Sequence, residues 1–158
     1  MNTKKVGLSL LHVVLGVLVL MLFAQSVTLT SFAQERRAIK LPGTEGFPFS
    51  DGVIAGDTLY VAGQEGIDDK GKLTPGGIGA ETQAALANIE KVVKEAGFEM
   101  KDIVSVTVFL ADIHEFPDMN KAYKAVMPDP KPARATVQVA ALVNNARIEV
   151  SAIAVKRK

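Results

Sequence analysis

Two short stretches near the end of the chain limit what it can fold into, because each alternates residue by residue between two kinds of side chain. Within 147–154, Ile148, Val150, Ala152 and Ala154 fall on one side, and Arg147, Glu149, Ser151 and Ile153 on the other. Within 131–142, Ala135, Val137 and Val139 share a side opposite Arg134, Thr136 and Gln138. A period of two is that of a β-strand, and the β-branched content agrees. Pro132 opens the first stretch and Asn144-Asn145 separates the two, so the pair reads as an antiparallel hairpin. An arginine and a glutamate inside such strands ordinarily lie on a solvated face. The other reading is that they belong to a site.

Upstream, turn chemistry and periodicity divide the chain further. A first strand is expected near 38–41, then a Pro-Gly loop, then a strand over 47–55. Gly56-Asp57 turns this strand into another at 58–62. Between 78 and 96, Ala85, Ile89, Val92, Val93 and Ala96 recur at helical spacing. Glu81, Glu90, Lys91, Lys94 and Glu95 fall largely off that stripe, and Gly97 is a stop signal. This reads as a packing helix without chemistry of its own. A strand follows from Asp102, with Val104, Val106, Val108 and Leu110 in alternation. A second helix is expected over 116–127, Pro117 suiting its first turn. The order is β-β-β-α-β-α-β-β. Two helices on one face of a mainly antiparallel or mixed sheet make an α+β architecture. A single helical layer leaves the other sheet face partly apolar, and burial against sister subunits would cover it.

The beginning of the chain is of another kind. Lys4-Lys5 precedes a nearly unbroken apolar run over 6–24, and Ser31-Phe32-Ala33 supplies the small residues of a cleavage site before Gln34. The expectation is a signal peptide over 1–33 and a folded domain over 34–158, exported to the periplasm or secreted. A retained membrane anchor is the alternative, since the run approaches the span of a bilayer. Contact with a membrane is expected only in that case. The chain has no cysteine, which excludes a disulfide framework, a thiolate catalyst and a thiolate metal site. A net charge of +1 gives no footprint for nucleic acid. His114 stands alone in a loop and His12 lies in the leader, so neither a metal site nor a catalytic triad is expected. Asp68-Asp69 lacks the remaining spacing of a calcium loop.

The terminal stretches, Pro-Ala-Arg-Ala-Thr-Val-Gln-Val-Ala-Ala-Leu over 132–142 and Arg-Ile-Glu-Val-Ser-Ala-Ile-Ala-Val over 147–155, closely resemble the C-terminal signature of the RidA (YjgF) family. Ala62-Gly63-Gln64 and Asn120-Lys121-Ala122-Tyr123 resemble two further family motifs, and the likeness covers nearly all of 39–155. The resemblance implies a chorismate-mutase-like fold assembled as a homotrimer with sites in the clefts between subunits. It also implies hydrolytic deamination of reactive 2-imino or enamine acids. Arg134 would hold the substrate carboxylate and Glu149 would handle the water. Phe49, Gly63, Asn120 and Thr136 would line the substrate pocket. Three positions depart from the pattern: Phe49 stands for the usual tyrosine, Ser151 for a second acidic residue, and Lys131 for an aromatic.

That chemistry needs a planar guanidinium to grip a carboxylate with two parallel hydrogen bonds. It also needs a carboxylate to orient and deprotonate water, and a partner for charge developing on nitrogen, which backbone groups near Gly63 and Thr136 would supply. No cofactor is required. In a hairpin around Asn144-Asn145, Glu149 lies near Gln138 and Arg134 about four residues farther on, roughly 13 Å away. A small imino acid does not span that distance. Either water and other groups intervene, or the two residues meet across a subunit boundary. The rival reading is a non-enzymatic trimer of the same fold that binds a small carboxylate or serves as a chaperone-like surface.

Overall fold

The computed structural model describes residues 36–156; the leader assigned to 1–33 lies outside them. The strands are β1 (Arg36–Ile39), β2 (Gly52–Ala55), β3 (Thr58–Glu65), β4 (Ile103–Leu110), β5 (Ala133–Gln138) and β6 (Ile148–Val155). Helix α1 (Gly77–Glu95) lies between β3 and β4, and α2 (Phe116–Val126) between β4 and β5. The α+β class and the element order are as expected. Among the described residues no helix is long and apolar enough to cross a membrane.

The strand order is β1-β2-β3-β6-β4-β5, and here one expectation fails. β5 and β6 do not form a hairpin. β5 runs parallel to β4 at the edge of the sheet, while β6 is inserted antiparallel between β3 and β4. Asn144 and Asn145, both at positive φ, belong to a short 3-10 turn that carries the chain across the end of β4. Alternation in each segment reports which side chains share a face, not which strand lies alongside.

The faces come out as read except at Val104, which is exposed while Ile103 is buried, because the register with β6 shifts between Ile103 and Ser105. Ile148, Val150, Ala152 and Ala154 are buried with Leu59, Val61, Val106 and Val108 beneath the helices. α1 contributes Ala85, Leu86, Ile89, Val92 and Val93 to the same core. Its end closes as a Schellman motif, with Phe98 N–H donating to the Val93 carbonyl and Gly97, at φ 78°, donating to that of Lys94. The opposite sheet face carries exposed apolar side chains, including Tyr60 at 50% and Val137 at 45% exposure.

Other local expectations change, and β3 runs on to Glu65, beyond the end expected at 62. The strand expected over 47–55 is regular only from Gly52. Before it the chain is a loop, gathered by the Lys40 ammonium, which donates to the Thr44, Phe47 and Phe49 carbonyls. Glu81, read as lying off the buried stripe of α1, is only 4% exposed. Its carboxylate accepts from the Arg147 backbone N–H at 2.8 Å and pairs with the Arg147 guanidinium, Nε at 3.6 Å. A buried charge is tolerated when it is paired and hydrogen-bonded in this way.

Candidate active site

The six residues singled out in the sequence fall into two groups on opposite faces of the sheet. Arg134 and Thr136 are in register with the buried Val106 and Val108 of β4, so they point to the helical face. Arg134 reaches α2, where Nη2 donates to Asn120 Oδ1 at 2.7 Å. Its guanidinium lies over the Tyr123 ring, 4.4 Å from the centroid, with Phe116 at 5.7 Å. Asn120, Tyr123 and Phe116 lie three or four residues apart, so one face of α2 presents all three. An amide and two rings fix the plane of the cation. Most of its N–H donors remain available to a carboxylate. The Tyr123 hydroxyl and Thr136 Oγ1, both buried, form no hydrogen bond among the described residues. Burial pushes the Tyr123 phenol up, and the Arg134 charge offsets part of that rise.

Glu149 lies on the other face. It is paired in register with Phe109 of β4 and with Glu65 of β3. Its side chain folds over Gly63, where a Cβ would overlap the carboxylate. Gly63 is therefore required by Glu149 itself, which occupies the space foreseen for a ligand. An open cleft of about 1400 Å³ contains both, with Phe47, Phe49, Glu65 and Asn144 among its walls. The Phe47 and Phe49 rings stack with centroids 5.4 Å apart. Arg134, Asn120 and Thr136 do not line this cleft.

The separation of Arg134 and Glu149 follows from the observed topology. β6 and β5 are two strand spacings apart. Glu149 stands level with Phe109, and Phe109 with Val137, three residues beyond Arg134. The two α-carbons are thus roughly 14 Å apart, with side chains leaving opposite faces. One small imino acid does not reach both within one protomer.

Glu65 is the residue that reading the sequence missed. A bulge after Val61 lets Val61 pair with Ala152 and Gln64 with Val150, which turns Glu65 onto the face of Glu149. Its Oε2 accepts from Asn144 Nδ2 at 3.2 Å. Burial raises its carboxyl above the usual range, the Asn144 bond opposes this, and the Glu149 and Glu81 charges add to the rise. The sequence signal, a glutamate two residues after Gly63, acquires meaning only once the bulge is known.

The family model described as endoribonuclease L-PSP matches residues 42–156. The 2-iminobutanoate/2-iminopropanoate deaminase of Bos taurus is 43% identical over 118 residues, covering 74% of this chain and 85% of that protein. That of Homo sapiens is 42% identical over the same shares. Among solved structures, the YjgF gene product of E. coli superposes with a TM-score of 0.66 at 32% identity, covering 76% of this chain and 94% of its own. RidA from the Antarctic bacterium Psychrobacter sp. PAMC 21119 gives a TM-score of 0.66 at 33% identity, covering 75% and 94%. With the family model spanning most of its length and relatives above 40% identity, this chain belongs to the RidA/YjgF (L-PSP) family.

Proposed function

We propose that the protein hydrolyses 2-imino and enamine acids to 2-keto acids and ammonia, in clefts formed between copies of the chain in a homotrimer. The observation that carries this reading is the division of the site. Arg134 is oriented on α2 by Asn120, Tyr123 and Phe116, Glu149 stands over Gly63 on the opposite face, and only a second copy can bring them to one small substrate. The apolar side chains on the open face, Tyr60 and Val137 among them, supply a surface for that assembly. The deaminases of cattle and human, at 42–43% identity, support the reaction class.

In this reading the guanidinium grips the substrate carboxylate through two N–H groups and Thr136 Oγ1 adds a third contact. Glu149 takes a proton from water as the water oxygen bonds to the C=N carbon, and the π electrons move to nitrogen. The proton is then returned to nitrogen to give a carbinolamine. Glu149 relays the carbinol O–H proton to the same nitrogen as the C–N bond breaks, so that ammonia leaves and the oxygen closes to the carbonyl of the keto acid. No cofactor enters. The cleft around Glu149 holds six carboxylates against three lysines, an unsuitable surface for the polyanion a ribonuclease must bind. The leader supports export with cleavage before Gln34, or retention as an anchor.

The test is keto-acid release by the domain comprising 34–158, with the imine generated in situ by an amino-acid oxidase, compared with Arg134→Ala. Acceleration over buffer that disappears in the variant is the expected result. A folded oligomer that accelerates nothing would leave carboxylate binding without catalysis as the function of the cleft.

A further inference from the structure

The deaminase reading leaves Glu65 without a task, and its placement is costly. Two carboxylates directly opposite each other on neighbouring antiparallel strands repel, and Glu65 faces Glu149 in that way. Lys70, on the cleft wall, acts on the Asp68 carboxylate of its own turn, and the other nearby cations are turned elsewhere. Arg147 is engaged by Glu81 and Glu115, Lys91 by Asp69 and Asn88, and Lys94 by Glu90. Asn144, held in the left-handed region at φ 57°, gives Glu65 a neutral hydrogen bond that fixes the carboxylate without cancelling its charge. Both carboxylates line the same cleft.

From this arrangement, and resting on the deaminase reading, we infer that Glu65 is a specificity residue that selects 2-imino acids with a cationic side chain and rejects acidic ones. Glu149 must stay close to the reacting carbon, whereas Glu65 stands one strand away and meets what that carbon carries. A guanidinium or ammonium extended from the substrate would supply the counter-charge that the fold leaves out. A carboxylate placed there would face two others.

The experiment compares kcat/KM for imines generated in situ from arginine, leucine and glutamate by oxidases matched to each amino acid. Wild type is expected to favour the arginine-derived imine over the glutamate-derived one. Glu65→Gln, which keeps the shape and removes the charge, is expected to lower that ratio about ten-fold, the scale of one charge-assisted contact. Glu65→Asp should retain part of the preference. Raising the salt concentration should narrow the wild-type ratio and leave that of Glu65→Gln nearly flat. An arginine-to-glutamate ratio unchanged by Glu65→Gln, while both proteins hydrolyse the leucine-derived imine, overturns the role of Glu65 and leaves the deaminase reading intact. A folded wild type that hydrolyses none of the three overturns both. Should Glu65→Gln not fold, a wild-type ratio insensitive to salt overturns the inference by itself.

Discussion

The two ends of the candidate site are built on contrary principles. Around Arg134 the fold surrounds one cation with an amide oxygen and two aromatic faces, on the buried side of an edge strand. Around Glu149 it brings a second carboxylate into register on the open side of a central strand. The first arrangement holds a charge still; the second leaves charge uncompensated. Orientation is therefore built into the protomer at the arginine, and affinity for a positive partner is built in at the glutamates. Each end lacks what the other faces would supply, which is the physical argument for a site shared between copies.

The largest expected effect comes from removing the oriented cation. Arg134→Ala should lower kcat/KM roughly 100-fold, and Arg134→Lys nearly as far, because an ammonium neither bridges a carboxylate nor stacks as a plane. Glu149→Gln should lower kcat by a similar factor with a smaller change in KM. Mixing these two inactive chains by co-expression then probes the division directly. If each site takes its arginine from one copy and its glutamate from another, about a quarter of the sites in random mixed oligomers are intact and activity returns. No recovery from well-mixed oligomers would break the comparison.

Next in size is Gly63→Ala. The added methyl group displaces the mobile end of Glu149 rather than backbone, so activity should fall about ten-fold while the melting temperature changes little. A large loss of stability instead would mean that Gly63 serves the fold and not the carboxylate.

The smallest effect sharpens the electrostatic half of the contrast. Glu65 is held above the usual glutamate range, first by burial and then by the neighbouring carboxylates. Between its unfolded and folded values the folded chain binds more proton than the unfolded one, so stability falls as pH rises through that window. Glu65→Gln removes this loss and should stabilise the protein at pH 7 by roughly a few tenths of a kcal/mol. In thermal melts below the ordinary glutamate range, where both states are protonated, the gain should vanish.

Much of this was legible before any coordinates. Alternation placed Val150 and Ala152 on one face and Glu149 and Ser151 on the other, and helical spacing located the core stripe of α1. The partner of each strand was not legible. Nearness in sequence made a hairpin of β5 and β6, whereas β4 lies between them, since period-two patterning is the same whichever neighbour supplies the hydrogen bonds. The environment of Arg134 was hidden for the same reason, because only the parallel register with β4 turns it toward α2. Glu81 escaped because its burial depends on Arg147, 66 residues later, and no local period encodes such a pair.

The bulge in β3 has a consequence for how the sequence can drift. It separates the strand into two stretches whose inward and outward positions are set independently, Val61 closing one and Gln64 opening the other. Substitutions in the first stretch answer to the helices, and those in the second to the cleft. Paired without the bulge at its present length, the strand would run in one phase, driving Glu65 inward against α1 and its neighbours outward. A change of side chain at position 65 thus alters what the cleft admits without disturbing the stretch that packs beneath the helices.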